Sequence, residues 1–397
     1  MVLINRFNTI FFTFLQILTI AIVNFIIGPL IPIISSDLKI GLDIIGLVIS
    51  IGAFASLIIT LVSGYLIELF GIKVMYILGS IFCILGLLGL YFSHNLLIFS
   101  LSYISVNIAT SIIFVFAFSF VSYEFTTSKT KNLLKIITGD SIGRIIGPLL
   151  VSLLLVLTFK WQNLFIYLVI PQVVVLFYFT LSKVKYEKEE GIKFKKIFKE
   201  NRKVITNKNF ILCSIIIFFY SAVINTFFTW FTSYFSVFNI NVKASTLFLA
   251  GFSFAGLIGL LIKNFILRYI SEIKVLFYSI VSSFIFLLLI YLLNSILLKN
   301  IFIFLFGICV TGTFVFAYSM GIKINQSYAY SVSGLLIAAG HIGKIIFQYL
   351  TGYFSEHFSK ISVLYVDLIL LFMLFIITLN LLLYRKHLCL TKNMNIK

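Results

Sequence analysis

Long apolar stretches separated by short polar segments run along the whole chain, and this pattern constrains its fold more than any other feature. We count twelve such stretches. A helix needs about 20 residues to cross the hydrocarbon core of a bilayer, and backbone groups in lipid must be satisfied within the segment itself. With 61% hydrophobic and 11% charged residues, the composition excludes a soluble multidomain protein.

The predicted spans share an apolar core with polar or charged residues at the ends. They cover residues 9–33, 43–67, 72–92, 96–124, 133–158, 161–182, 210–236, 244–269, 273–294, 300–322, 328–354 and 361–384. We therefore predict an all-α membrane protein of twelve transmembrane helices in two pseudo-symmetric six-helix bundles. The predicted organisation is an N-terminal bundle at 1–182, a cytoplasmic basic linker at 183–209, a C-terminal bundle at 210–384 and a cytoplasmic tail at 385–397.

The distribution of the basic residues along the chain indicates the membrane topology. The chain has 30 Lys and Arg against 12 Asp and Glu, a net charge of +18, which in a soluble protein would indicate nucleic-acid binding. Here most of the basic residues fall between spans, 22 on the side of the N-terminus and five on the other, and three lie within spans. The positive-inside rule then predicts a plasma-membrane protein with both termini in the cytoplasm and no nucleic-acid partner.

The two halves also resemble each other at an offset of about 200 residues, as transporters built from repeated bundles do. The Phe54-Ala55 pair falls on Phe254-Ala255. The segment Gly143-Arg144-Ile-Ile falls on Gly343-Lys344-Ile-Ile, which places an intramembrane cation after a glycine in both halves.

Two glycine patterns carry a family resemblance. Between spans 2 and 3 the chain has Gly64, Glu68, Gly71 and Lys73, and span 5 has Gly139-x3-Gly143-x3-Gly147-Pro148. Together they resemble the major facilitator superfamily, in which two six-helix bundles enclose a central site and expose it alternately. The resemblance implies gating roles for Gly64, Glu68, Gly71, Lys73, Gly143, Gly147 and Pro148. Small residues every four positions also allow close helix packing.

The intramembrane cations are candidates for solute binding. Each costs roughly 2.5 to 3.5 kcal/mol at mid-bilayer, so it needs a partner. Arg144 as a bidentate fork and Lys344 as a point charge would bind an anionic solute. Alternatively, Asp140, four residues earlier, neutralises Arg144. Asp140 is also a candidate for coupling transport to an ion. No acid stands three or four residues from Lys344, and His341 on the same face is either a proton relay or simply hydrogen-bonded.

The resemblance assigns the central cavity to spans 1, 4, 7 and 10, where polar side chains form helical stripes. Further substrate-binding candidates are Gln16, Asn24, Asn107, Asn225, Thr311 and Tyr318. Such side chains also hydrogen-bond neighbouring helices, so a structural role is the alternative for each. We expect Asp367 in span 12 to be a structural partner and Lys263 in span 8 to snorkel to the interface.

Motifs for catalysis are missing from the sequence. It has no H-E-x-x-H and no G-x-x-x-x-G-K-[ST], so we predict no enzyme activity, catalytic residue, metal site or cofactor. The predicted function is secondary transport of a small solute by alternating access, with a small organic anion as the leading candidate. A proton or sodium ion would couple transport, the bilayer is the other partner, and we expect a monomer. The alternatives are efflux of amphipathic, drug-like compounds and a transport-dead receptor or scaffold.

Overall fold

The computed structural model describes the backbone of residues 2–124, 129–157, 160–181, 205–323 and 329–394. Within these ranges, side chains are described except at 2–8, 63–65, 67–69, 72, 118–124, 129–137, 329–331, 333 and 384–394. The described residues are helical apart from short turns and contain no strand.

Long helices account for nearly all of the described chain. Their bounds are Val2–Leu38, Leu42–Tyr91, Leu96–Glu124, Lys129–Val156, Asn163–Leu181, Lys208–Phe235, Val242–Ile266, Glu272–Leu292, Ile296–Val310, Thr313–Ile322, Ala329–His357 and Ser362–Met394. They supply twelve segments that are long and apolar enough to cross a membrane. The predicted number of spans is therefore confirmed, and we keep the numbering spans 1 to 12.

Glycine allows the helix to break at two places. Helix Leu42–Tyr91 contains spans 2 and 3, which are divided at Gly71, where φ is 78° and ψ is 157°. Span 10 consists of helices Ile296–Val310 and Thr313–Ile322, separated at Gly312 with a φ of 91°. Only a residue without a Cβ adopts such positive φ values at little cost. The turn at Gly71 was predicted, whereas span 10 was predicted as one uninterrupted segment.

The chain divides into two compact units. Unit 1 contains Met1–Glu190, Phe228–Ala250 and Ile345–Ile361, and unit 2 contains Gly191–Phe227, Gly251–Lys344 and Ser362–Lys397. Unit 1 thus adds parts of spans 7, 8 and 11 to the N-terminal half. The predicted bundle boundary at 183–209 lies mostly outside the described residues and stays a prediction.

Close helix packing repeats at the same offset as the sequence. In unit 1, a Cβ added to Gly143 of span 5 would lie 3.0 Å from the Leu18 carbonyl oxygen of span 1. In unit 2, a Cβ added to Gly343 of span 11 would lie 2.2 Å from the Phe218 carbonyl oxygen of span 7. Gly343 follows Gly143 by 200 residues, and Phe218 follows Leu18 by 200 residues. The predicted repeat relation and the packing role of the span 5 glycines are confirmed at these positions.

Aromatic packing fills the interior of unit 2. Phe227 of span 7 lies 4.8 Å from Phe252 and 5.0 Å from Phe306, measured between ring centroids. Because lipid tails are as apolar as these rings, helix association in a membrane depends on such fitted contacts rather than on water exclusion.

The glycine contact in unit 2 predicts the effect of a single methyl group. Gly343→Ala forces the Ala Cβ against the Phe218 backbone, and we expect it to lower stability by about 1 to 3 kcal/mol through overpacking. Gly334→Ala in the same helix is the matched control, because no described atom lies within 4 Å of its added Cβ. Thermal unfolding of detergent-solubilised protein would compare the two variants. Equal melting temperatures would contradict the close contact.

Candidate functional site

Arg144 has a carboxylate partner in its own helix. Its Nε lies 2.9 Å from Asp140 Oδ2, one turn earlier in span 5, and its guanidinium lies 4.7 Å from the centre of the Phe25 ring of span 1. An ion pair at i and i+4 and a cation–π contact both reduce the cost of the intramembrane charge. Of the two interpretations from sequence, the geometry favours neutralisation by Asp140.

Lys344 is the repeat counterpart of Arg144, but its surroundings differ. Gly340 stands where the first repeat has Asp140, so the helix offers no acid one turn earlier. Among the described residues, no carboxylate lies within ion-pair distance of Lys344 and no hydrogen bond satisfies its ammonium. The side chain is partly exposed near the middle of span 11, Gly334–His357. This charge therefore lacks a described partner within unit 2.

His341 and Asp140 were predicted as coupling candidates. The carboxylate of Asp140 is engaged by Arg144, as described above. His341 is partly exposed one turn before Lys344 and within reach of its electrostatic field. A coupling role for either residue stays a prediction.

Two of the predicted cavity residues lie at helix interfaces in this conformation. Gln16 is fully buried and donates from Nε2 to Ser80 Oγ of span 3 at 2.7 Å. Asn107 is 2% exposed and donates to the Tyr103 carbonyl, while its own carbonyl accepts a hydrogen bond from Ser56 of span 2. For both residues the geometry favours the structural alternative.

The other polar candidates are partly exposed. Asn24 lies 3.4 Å from Thr110 Oγ1 of span 4, and Asn225 donates to the Ser221 carbonyl of its own helix at 2.7 Å. Thr311 donates to the Gly307 carbonyl, and the Tyr318 ring stacks on Phe314. Their roles in solute binding stay predictions.

Lys263 has buried partners that the sequence did not reveal. It is only 5% exposed, and its ammonium donates to the carbonyl oxygens of Cys309, at 2.5 Å, and Thr311. These carbonyls lie beside the break at Gly312, where the helix no longer supplies hydrogen-bond donors. The prediction that Lys263 snorkels is wrong, because the broken helix offers closer partners than the membrane interface.

Removing this ammonium tests its role at the break. We expect Lys263→Met to leave the two buried carbonyls without a donor, at a cost of about 1 to 3 kcal/mol for each group. Lys274→Met, an exposed lysine at the start of span 9, controls for the loss of charge. Thermal unfolding in detergent should show a lower melting temperature for Lys263→Met alone. An unchanged value would mean that the carbonyls find other partners.

Within unit 1, close contacts join the ends of spans 1, 2, 7 and 11 that the predicted topology places outside. A Cβ added to Gly28 would lie 2.4 Å from the Phe228 carbonyl oxygen, and one added to Gly352 would lie 2.7 Å from the Leu42 carbonyl oxygen. Polar contacts accompany the packing, since Gln348 donates to Thr229 at 2.9 Å. These ends are therefore closed against one another in this conformation.

Glu356 connects span 11 to the start of span 2. Its Oε2 accepts a hydrogen bond from the Leu42 backbone N–H at 2.9 Å, while the adjacent His357 lies 3.6 Å from Asp43 Oδ2. The first N–H groups of a helix have no acceptor within the helix, so the carboxylate caps span 2 from a distant part of the chain.

The cap predicts a graded response to substitution. Glu356→Ala removes the acceptor and should cost about 1 kcal/mol, the usual effect of losing an N-cap. Glu356→Gln keeps an oxygen acceptor and should cost less. Hydrogen exchange of a peptide that begins several residues before Leu42, measured by mass spectrometry, should rise in the order wild type, Gln variant, Ala variant. Identical exchange in all three proteins would refute the capping role.

The predicted gating residues are only partly described. Gly71 forms the turn between spans 2 and 3, and Lys73 donates to the Thr180 carbonyl at the end of span 6 at 3.1 Å. Pro148 is buried within an unbroken helix, directly after Gly147, which packs on span 1. The side chains at positions 64 and 68 lie outside the described residues.

Twelve spans, a packing contact repeated at an offset of 200 residues and charges inside the spans define a class of protein: polytopic membrane carriers built from repeated helical bundles. In the part of the chain that the structure describes, no group of three or more His, Cys, Asp or Glu side chains could hold a metal ion. A family model of the Major Facilitator Superfamily matches residues 13–324. The chain belongs to this family, and its described residues supply the twelve helices long and apolar enough to cross a membrane.

Solved structures share this fold. The chain superposes on a D-xylose-proton symporter with a TM-score of 0.76, at 10% identity over 94% of this chain and 97% of that one. The nucleoside transporter NupG gives a TM-score of 0.75, at 14% identity over 93% and 98%. The Escherichia coli fucose:proton symporter FucP gives 0.66, at 15% identity over 93% and 97%. Similarity at these identities concerns the fold alone.

Curated relatives match a shorter part of the chain. The Protein TsgA homolog of Buchnera aphidicola subsp. Schizaphis graminum is 25% identical over 215 residues, which is 54% of each protein. The homolog from Buchnera aphidicola subsp. Baizongia pistaciae is 27% identical over 215 residues, or 52% of each. The chain thus spans about half the length of the curated relatives that it matches.

Proposed function

We propose that the chain transports a small, polar, negatively charged solute by alternating access, and that Lys344 binds the negative charge. One observation carries this proposal: the ammonium of Lys344 has no anionic partner among the described residues of unit 2. An intramembrane cation that stays unpaired is costly, and a bound anion would offset that cost.

The difference between the repeats supports the assignment to Lys344 alone. Arg144 already has Asp140 at 2.9 Å, so the pair contributes no net charge. The replacement of Asp140 by Gly340 in the second repeat leaves the Lys344 charge uncompensated. We therefore assign anion binding to Lys344 alone, rather than to Arg144 and Lys344 together.

A hydrogen-bonding group next to Lys344 follows from the same repeat relation. Phe25 lies under Arg144 in unit 1, and the residue 200 positions later is Asn225. The repeat relation therefore predicts Asn225 beside Lys344, where an amide and an ammonium would together recognise a carboxylate or phosphate with neighbouring hydroxyls. The xylose, fucose and nucleoside carriers of the same fold suggest a hydroxyl-rich solute.

The proposal also includes the membrane, the orientation of the chain and the energy source of transport. The distribution of Lys and Arg supports a plasma-membrane location with both termini in the cytoplasm. Two of the solved proteins that share this fold are proton symporters, which supports an ion gradient, of protons or sodium, as the energy source. We keep the monomer as our expectation.

Pairs of solutes that differ only in charge test the proposal. We would measure thermal shifts of detergent-solubilised protein with galactose and galacturonate, and with uridine and uridine monophosphate. A ligand that binds only the folded state raises its stability by about 2.7 kcal/mol at 100 times its Kd. We expect the anionic member of a pair to raise the melting temperature and the neutral member to have little effect.

Variants identify the binding charge. Lys344→Gln should abolish the shift caused by the anion. The control is a double variant, Asp140→Asn with Arg144→Gln, which removes the first-repeat pair without leaving a buried charge, and it should keep the shift. Counterflow of the labelled anion in liposomes should follow the same order. An anion shift that survives in Lys344→Gln would refute the proposal, and shifts with amphipathic cations alone would favour efflux.

A further inference from the structure

Asp367 of span 12 is the most deeply buried acid among the described residues. Its side chain has no exposed surface, although it lies only five residues inside span 12, which starts at Ser362. Oδ1 contacts the hydroxyl of Thr226 in span 7, and Oδ2 has no hydrogen-bond partner among the described residues. Both residues belong to unit 2. Sequence analysis predicted only a structural partner here.

The hydroxyl of Thr226 has one proton and three possible acceptors around it. Thr226 Oγ1 is 2.8 Å from the Ala222 carbonyl oxygen and 3.0 Å from the Val223 carbonyl oxygen, and it also contacts Asp367. The hydroxyl has one proton to donate, and threonines inside helices commonly donate it to the carbonyl four residues earlier. One hydroxyl proton therefore faces three acceptors, and a proton on Asp367 would let the carboxyl group donate to Thr226 while Thr226 donates to the helix carbonyl.

Apart from the Thr226 hydroxyl, no described group pairs with the Asp367 carboxyl. Span 12 packs against span 9, where Phe284 contacts Phe372 and the hydroxyl of Tyr291 lies 2.5 Å from that of Tyr365. The ammonium of Lys299, at the start of span 10, donates to the Ile290 carbonyl of span 9 at 2.9 Å. None of the described cations lies within ion-pair distance of Asp367. An ionised carboxylate here would be buried with one bare oxygen, which is unfavourable in a dry interior.

We infer that Asp367 is the proton-binding group of this transporter, holding a proton in the described conformation and releasing it to water when spans 7 and 12 are hydrated. The step is a simple dissociation: the carboxylic acid loses H⁺ to water and the carboxylate keeps the electron pair. Thr226 would orient the acid. The inference rests on the proposed function, because the bound proton has a role in transport only if the chain transports a solute.

Span 7 connects this proton to the solute. Thr226 follows Asn225, the candidate that the repeat relation predicts beside Lys344. A movement of span 7 that changes the hydration of Thr226 would therefore also move Asn225. Symport of one proton with a singly charged anion carries no net charge, so a pH gradient would drive it without a membrane potential.

Infrared spectroscopy tests the proton directly and needs no solute. The solubilised wild-type protein should show the carbonyl stretch of a protonated, buried carboxyl group at neutral pH. The band should be lost in Asp367→Asn, which keeps the shape of the side chain. It should persist in Glu272→Gln, the control, because Glu272 is ion-paired with Lys323 at 2.7 Å. Thr226→Val should shift the band, whereas Thr226→Ser should not.

The titration decides between a working proton site and a static one. Raising the pH should remove the band and release one proton more from the wild type than from Asp367→Asn. Absence of the band at neutral pH would overturn the inference. A band that persists at every pH at which the protein stays folded would also overturn it, since such a proton never leaves.

Transport measurements separate this inference from the anion proposal. With the membrane potential clamped at zero, a pH difference of one unit should support about tenfold accumulation of a singly charged anion in the wild type. Asp367→Asn should abolish accumulation and keep counterflow, and Asp367→Glu should restore part of the accumulation. Detection of the infrared carboxyl band without any anion binding would support the proton site and refute the anion proposal. Anion binding without the carboxyl band would support the anion proposal and refute the proton site.

Discussion

Every backbone N–H and C=O inside a bilayer needs a partner from the protein, and the arrangement of charged side chains in this structure follows from that requirement. Lysines bind carbonyls where a helix ends or breaks: Lys73 at the end of span 6, Lys299 at the end of span 9 and Lys263 at the break in span 10. A glutamate binds an N–H where span 2 begins. These signs match the polarity of the helix, which is positive at its N-terminus and negative at its C-terminus.

This requirement separates structural charges from candidates for function. Lys73, Lys263, Lys299 and Arg144 have protein partners, so their presence needs no solute. Lys344 and Asp367 differ, because no described group hydrogen-bonds the Lys344 ammonium and one carboxyl oxygen of Asp367 has no described partner. They lie on spans 11 and 12, within one compact unit. In our proposals the ammonium of Lys344 binds the anion and the carboxyl group of Asp367 binds the proton. The repeat makes the contrast visible, because Arg144 has the acid that Lys344 lacks.

Much of the fold could be predicted because the relevant signals are local. Span length, the turn at Gly71, the glycine stripe of span 5 and the Asp140–Arg144 pair all depend on residues within one or two helical turns or on the repeat offset. The break in span 10 could not be predicted, because an apolar run reads the same whether or not its helix is interrupted. The partners of Gln16, Lys263 and Asp367 lie 64, 46 to 48 and 141 residues away. In a lipid-embedded helix all faces are apolar, so the sequence does not show which face meets a neighbour.

The ammonium at the interruption of span 10 also affects which ions can bind there. Unwound segments in membrane carriers commonly offer their bare carbonyl oxygens to a mobile metal cation. In this protein a tethered side chain already occupies the oxygens of Cys309 and Thr311 and cannot diffuse away. The local charge of this segment is consequently independent of the salt on either side of the membrane. A sodium ion would have to displace a covalently attached competitor to coordinate these oxygens.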